Sequence, residues 1–85
     1  MNETEFVTRV EELPDRFAGR VPERYLRGLR DLVGGGEWDL VLEELLANLR
    51  EDQAPITAQE RDELAALLTY AHIPTVKLDE LNATG

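Results

Sequence analysis

The sequence contains no cysteine and no serine, and it has a single histidine, His72. Because cysteine and serine are absent, the chain cannot form a disulfide, a zinc–thiolate site or a serine or cysteine nucleophile. One histidine cannot supply a two-histidine metal site. We expect His72 near the C-terminal end of a helix, where it interacts favourably with the helix dipole. We therefore predict a protein that is not an enzyme and that has no cofactor or metal.

Long apolar runs and basic residues are also scarce. No apolar run approaches the roughly 20 residues that span a bilayer, and the acidic start of the chain is unlike a signal peptide. The chain has 18 acidic and 9 basic residues and a formal net charge of −9. Nucleic acids and anionic membranes require basic surfaces, so we expect neither as a direct partner. These features favour a cytoplasmic protein.

The acidic residues are concentrated towards the C-terminus. Residues 1–33 hold seven acidic residues and six arginines, whereas residues 34–85 hold eleven acidic residues and three basic ones. A surplus of negative charge can simply keep a protein in solution. It can also speed the encounter with a basic partner, so the charge pattern by itself leaves both interpretations open.

The apolar periodicity predicts an all-α protein. We expect one domain, residues 1–85, with helices over residues 3–18, 22–33, 36–51 and 58–72, a short turn at 76–81 and a tail at 82–85. Pro14 lies inside the first predicted helix and should kink or break it, because proline cannot donate to the preceding turn. The short connections favour antiparallel neighbours, and hence a compact antiparallel bundle of about four helices.

Several predicted helix ends carry specific signals. Asn2 and Thr57 each precede a glutamate by three residues, Glu5 and Glu60 respectively, which is the pattern of a capping box. Three glycines at 34–36 predict the end of the second helix, because glycine tolerates the left-handed conformation found there.

The third predicted helix has two distinct faces. One is an apolar stripe, which should be buried and consists of Trp38, Val41, Leu42, Leu45, Leu46 and Leu49. At 100° per residue, Leu40 lies almost opposite this stripe, with Glu37, Glu44 and Glu51 around it. An exposed leucine ringed by carboxylates resembles a small interface with an apolar centre and a charged rim. A solvated face without a partner is the alternative interpretation.

We predict a partner-binding surface on the third and fourth helices. Its candidate residues are Glu37, Leu40, Glu43, Glu44, Glu51, Asp52, Glu63 and Tyr70. Tyrosine is a common hot-spot residue if it is exposed. The alternative for Tyr70 is a ring buried at the edge of the bundle with its hydroxyl in water.

Two segments in combination resemble a known family. The first begins Gly36-Glu37-Trp38 and continues with leucines at 40, 42, 45 and 49. The second begins Ile56-Thr57 and continues with Glu60, Leu64 and Leu67. Residues 22 to about 72 thereby resemble the MafI-type small helical immunity proteins of bacterial polymorphic toxin systems. This resemblance implies inhibition of a cognate toxin domain by direct binding, without catalysis.

The leading prediction is therefore an immunity protein, an antitoxin-like inhibitor that neutralises a bacterial toxin domain. Toxins of such systems are often nucleases with basic active sites, which an acidic bundle would complement. The alternative is a non-catalytic adaptor or regulatory module that self-associates or binds another protein through the Leu40 face. We expect a monomer, and a stable homodimer would favour the alternative.

Overall fold

The computed structural model describes residues 1–81, and four α-helices account for most of them. The helices are α1 (Glu3–Arg16), α2 (Glu23–Gly34), α3 (Trp38–Glu51) and α4 (Ala58–Tyr70), and a 3₁₀ turn follows at Val76–Glu80. Within residues 1–81 there is no β-strand, and no helix is long and apolar enough to cross a membrane. The all-α prediction with four helices is confirmed, and the expected tail at 82–85 lies outside the described residues.

Helix α1 begins at a side-chain cap and ends soon after Pro14. The Glu5 N–H donates to Asn2 Oδ1 at 2.8 Å, which satisfies one of the unpaired donors of the first turn. The helix continues through Pro14 and ends at Arg16, whereas we predicted an end at residue 18. The predicted break at Pro14 is therefore absent, and Pro14 lies in the last turn of a continuous helix.

Helices α2, α3 and α4 are each followed by a residue in the left-handed region, two positions after their last helical residue. Gly36, Gln53 and His72 have φ values of 71°, 50° and 60°. The N–H of the residue that follows each of them donates to the carbonyl five positions before that residue, as Glu37 N–H does to Leu32. This hydrogen bond closes the helix in a Schellman motif. These residues explain two wrong bounds: α3 begins at Trp38 rather than at residue 36, and α4 ends at Tyr70 rather than at residue 72.

The core is built from all four helices and from the 3₁₀ turn. The predicted stripe of α3 is confirmed, because its aliphatic residues are buried and Trp38 is partly buried against them. On α2 the buried residues are Leu26 and Leu29, whereas Tyr25 is only partly buried and remains available at the surface. Burial of one face of each helix leaves the opposite face of α3, which carries Leu40, in contact with solvent.

A charged pair joins the loop after α1 to the start of α4. The two terminal nitrogens of Arg20 each donate to one oxygen of Glu60 at 2.6 Å. Glu60 also accepts from the Thr57 N–H at 2.9 Å and completes the predicted capping box, which is confirmed. The hydrogen bond from Arg20 is the main reason that the pKa of Glu60 is lowered to about 2. Glu60 is therefore a structural carboxylate.

Candidate functional site

A groove of about 470 Å³ lies between α2 and α3. Its lining residues on α2 are Arg24, Tyr25, Gly28, Leu29, Asp31 and Leu32, and those at the start of α3 and along it are Glu37, Leu40, Glu44 and Asn48. Three residues join the two helices, so α2 and α3 are antiparallel neighbours. Asp31 and Glu37 therefore lie at the connected end of this α2–α3 groove, and Arg24 and Asn48 lie towards the other end.

Leu40 provides an apolar centre for the α2–α3 groove. Its side chain is 43% exposed, which is unusual for a leucine in this protein, since most of the others are buried. Glu37 and Glu44 are exposed and line the same groove. Neither carboxylate has an ion pair among residues 1–81. The structure thus brings three of the predicted site residues together on one concave surface.

Arg24 and Tyr25 form the other end of the groove. The guanidinium carbon of Arg24 lies 4.7 Å from the centroid of the Tyr25 ring, a cation–π arrangement. The pKa of Arg24 is raised, first by a hydrogen bond to the Tyr25 hydroxyl and to a smaller extent by the carboxylates of Asp52 and Glu51. The carboxylates of Glu51 and Asp52 therefore lie near enough to this end of the groove to interact with Arg24, although neither residue lines the groove.

The groove walls also contain a position without a side chain, Gly28, and a buried polar residue, Asn48. A β-carbon added at Gly28 would meet no atom within 4 Å, so the wall of α2 is open at this point. Asn48 is 8% exposed and is the one polar residue among the buried residues of the described chain. Its amide has hydrogen-bond donors and an acceptor, so Asn48 is a polar residue in a wall that also contains Leu29, Leu32 and Leu40.

The remaining predicted site residues lie outside the groove. Glu43 is exposed on α3 but does not line the groove. The carboxylate of Glu63 pairs with Arg16 of α1. Tyr70 stacks on Phe6 with ring centroids 4.8 Å apart, although it is still 37% exposed. The eight predicted residues therefore do not form one surface: three line the groove, two flank it and three lie elsewhere.

Sequence reasoning missed the α2 wall of the groove. Arg24, Gly28 and Asp31 are spaced by four and three residues, so they share one face of α2. The available signal was Gly28, because a glycine inside a helical pattern costs roughly 1 kcal/mol and usually has a packing or functional reason. The periodicity of α3 alone could not indicate which helix lies beside its outer face.

The groove lining has a mixed composition that many protein-recognition surfaces share. It combines the exposed Leu40 and the partly buried Tyr25 with carboxylates and one cation. Within residues 1–81, no three histidine, aspartate or glutamate side chains are placed to hold a metal ion.

Comparison with known proteins identifies the family of the chain but not its activity. The chain belongs to the family described as a family of unknown function, DUF6189, whose model matches residues 1–81. No curated protein and no solved structure matches it. The resemblance to MafI-type immunity proteins stays a prediction.

Proposed function

We propose that this DUF6189 protein is an immunity protein, which binds and neutralises a cognate bacterial toxin domain through the α2–α3 groove. The observation that carries the proposal is the exposed Leu40, which shares a concave wall with the unpaired carboxylates of Glu37 and Glu44. An apolar residue with a charged rim is typical of a surface that a protein partner covers. Inhibition in this proposal comes from binding alone, without catalysis.

The charge of the protein supports a basic partner. The net charge is −9, and the groove lining contains three carboxylates but only one guanidinium. Such a surface attracts lysine- and arginine-rich proteins over a distance and speeds their association. A nuclease domain fits this requirement, because its active site is basic in order to hold phosphates. In this proposal the toxin is a nuclease, and the two proteins meet in the cytoplasm.

Co-expression tests the proposal. The second protein is the C-terminal domain encoded by the neighbouring open reading frame, in a host whose growth that domain arrests. The DUF6189 protein should restore growth and co-purify with the domain. A neighbouring domain that is neither bound nor neutralised would overturn the proposal.

A pair of variants locates the binding surface in the same assay. Leu40→Arg should abolish growth rescue and co-purification, because it places a positive charge at the apolar centre and repels a basic partner. Val76→Arg is the matched control, since Val76 is 63% exposed in the 3₁₀ turn and does not line the groove. The control should retain both properties, and equal loss in both variants would contradict the placement of the site.

A self-associating adaptor is the second candidate, and the same exposed Leu40 favours it. Two copies that met at the groove would, however, bring the carboxylates of Glu37 and Glu44 from both chains together, and like charges oppose such contact. Analytical ultracentrifugation distinguishes the two functions. A stable homodimer that Leu40→Arg dissociates would favour the adaptor, whereas a monomer that forms a complex only with the toxin domain favours the immunity protein.

A further inference from the structure

Gly28 is a glycine that the fold itself does not require. It lies inside α2, where glycine is less favourable than alanine by about 1 kcal/mol. Its backbone is not in the left-handed region, and a β-carbon at this position would meet no atom within 4 Å. Neither the local conformation nor the packing within the described chain therefore explains the absence of a side chain.

The position of Gly28 suggests another reason. It lines the α2–α3 groove together with Tyr25 of the same helix and Leu40 of the neighbouring one. A side chain at Gly28 would occupy part of the groove rather than the core. Glycine is common where another backbone or a ligand approaches closely, because it presents no obstacle beyond the main chain.

We propose that an amphipathic helix of a basic partner protein lies in the α2–α3 groove and makes its closest approach at Gly28. This inference rests on the proposed function, because it assumes that the groove is the docking surface. A groove between two antiparallel helices suits the mode in which a helix inserts its apolar face. Apolar side chains of the partner helix would contact Leu40 and Tyr25 on either side of Gly28.

The charges of the groove define the polar positions of the partner helix. Glu37 and Glu44 have no ion pair among residues 1–81 and are seven positions apart, about two helical turns or roughly 10 Å. Lysine or arginine side chains two turns apart on the partner helix would match this spacing. At the opposite end of the groove, the carboxylates of Glu51 and Asp52 offset the charge of Arg24. Glu37 and Glu44 therefore determine where the basic residues of the partner helix lie along the groove.

Two synthetic helical peptides test this inference on the full chain. They share a leucine stripe; one carries two lysines seven positions apart beside the stripe, and the other carries glutamates at the same positions. Amide chemical shifts of the isotope-labelled protein report the contact site, and titration reports Kd. The lysine peptide should shift the amides of Gly28 and Leu40 and should bind more tightly than the glutamate peptide.

Two alanine variants then examine the close approach. Gly28→Ala should weaken binding of the lysine peptide by roughly tenfold or more, the effect of overfilling a fitted contact by one methyl group. It should also raise the melting temperature, because alanine favours the helix. Gly34→Ala is the matched control, since Gly34 is also in α2 and equally open but does not line the groove. Its peptide affinity should be unchanged.

The outcomes separate this inference from the proposed function. Undiminished binding of the lysine peptide to Gly28→Ala, or equal binding of the two peptides, would overturn the helix inference. Neutralisation of the toxin domain that depends on Leu40 would still support the immunity function in that case. Conversely, peptide binding at Gly28 without neutralisation of the neighbouring domain would overturn the proposed function and leave a helix-binding groove.

Discussion

The α2–α3 groove and the seam between α1 and α4 contain the same charged residue types in different surroundings. In the seam, Glu60 and Glu63 each accept a hydrogen bond from an arginine, and Tyr70 stacks on an aromatic ring of α1. In the groove, Glu37 and Glu44 have no ion pair among residues 1–81. Structural carboxylates therefore differ from candidate binding carboxylates in having a partner within the chain, and not in lying outside an acidic segment.

Charge reversal in the groove should have the largest effect. We expect Glu37→Lys/Glu44→Lys to slow association with a basic toxin domain by about 10-fold or more, because the steering charges are reversed. Stopped-flow association rates over a range of ionic strength measure this effect. The control Glu11→Lys/Glu43→Lys changes the net charge equally at exposed residues outside the groove. Equal slowing by both variants would mean that net charge, not the groove, attracts the partner.

Loss of the Glu60 carboxylate should destabilise the fold without weakening binding. Glu60→Gln removes the charge-assisted pair with Arg20 and weakens the Thr57 cap. We expect a loss of about 1–3 kcal/mol in the free energy of unfolding, measured by urea denaturation. Affinity for the toxin domain, measured where the variant is folded, should be unchanged. A weaker complex would place the seam in the binding surface.

The same pair makes the stability depend on pH. The pKa of Glu60 falls from 4.5 to about 2 on folding, so its contribution is fully present above about pH 4.5. Between pH 4.5 and about 2 the unfolded state binds a proton at Glu60 and the folded state does not, so the contribution is lost as the pH falls through this range. The difference in stability between wild type and Glu60→Gln should therefore shrink across this window. A difference that stays constant down to pH 2 would contradict the assignment.

The more exposed pair in the seam should have the smallest effect. Arg16 and Glu63 are joined by an ion pair, but their side chains are 39% and 29% exposed. We expect Glu63→Gln to change the free energy of unfolding by less than about 1 kcal/mol, because solvent screens such pairs. Affinity for the toxin domain should also be unchanged. A large loss of affinity would restore Glu63 to the binding surface, where the sequence pattern first placed it.

The helices were largely predictable because their signals are local. The Thr57 capping box and the glycines at 34–36 act within one turn of the chain, and both mark real helix ends. Two of the errors in helix bounds occur at Gly36 and His72, where a left-handed residue delays or ends a helix that the apolar pattern would extend. Leu40 was also predictable as exposed, since the angle between residues on α3 follows from helix geometry.

The candidate site was only half predictable. The α3 wall followed from the position of Leu40 opposite the buried stripe. The α2 wall did not, because the periodicity of one helix carries no information on which neighbour packs beside it. Tyr25 illustrates the limit: its spacing is that of a core residue, yet in the structure it is partly buried and lines the groove.

The sequence by itself determined the four helices, the apolar face of α3, the outward position of Leu40 and the strongly acidic charge. These properties depend on residue types and on spacing over one or two turns. Only the tertiary structure decided which carboxylates are paired, because Arg16 and Glu63 are 47 positions apart and Arg20 and Glu60 are 40 apart. It also decided that Gly28 opens a groove beside Leu40, since a groove requires two helices to be brought together by a shared core.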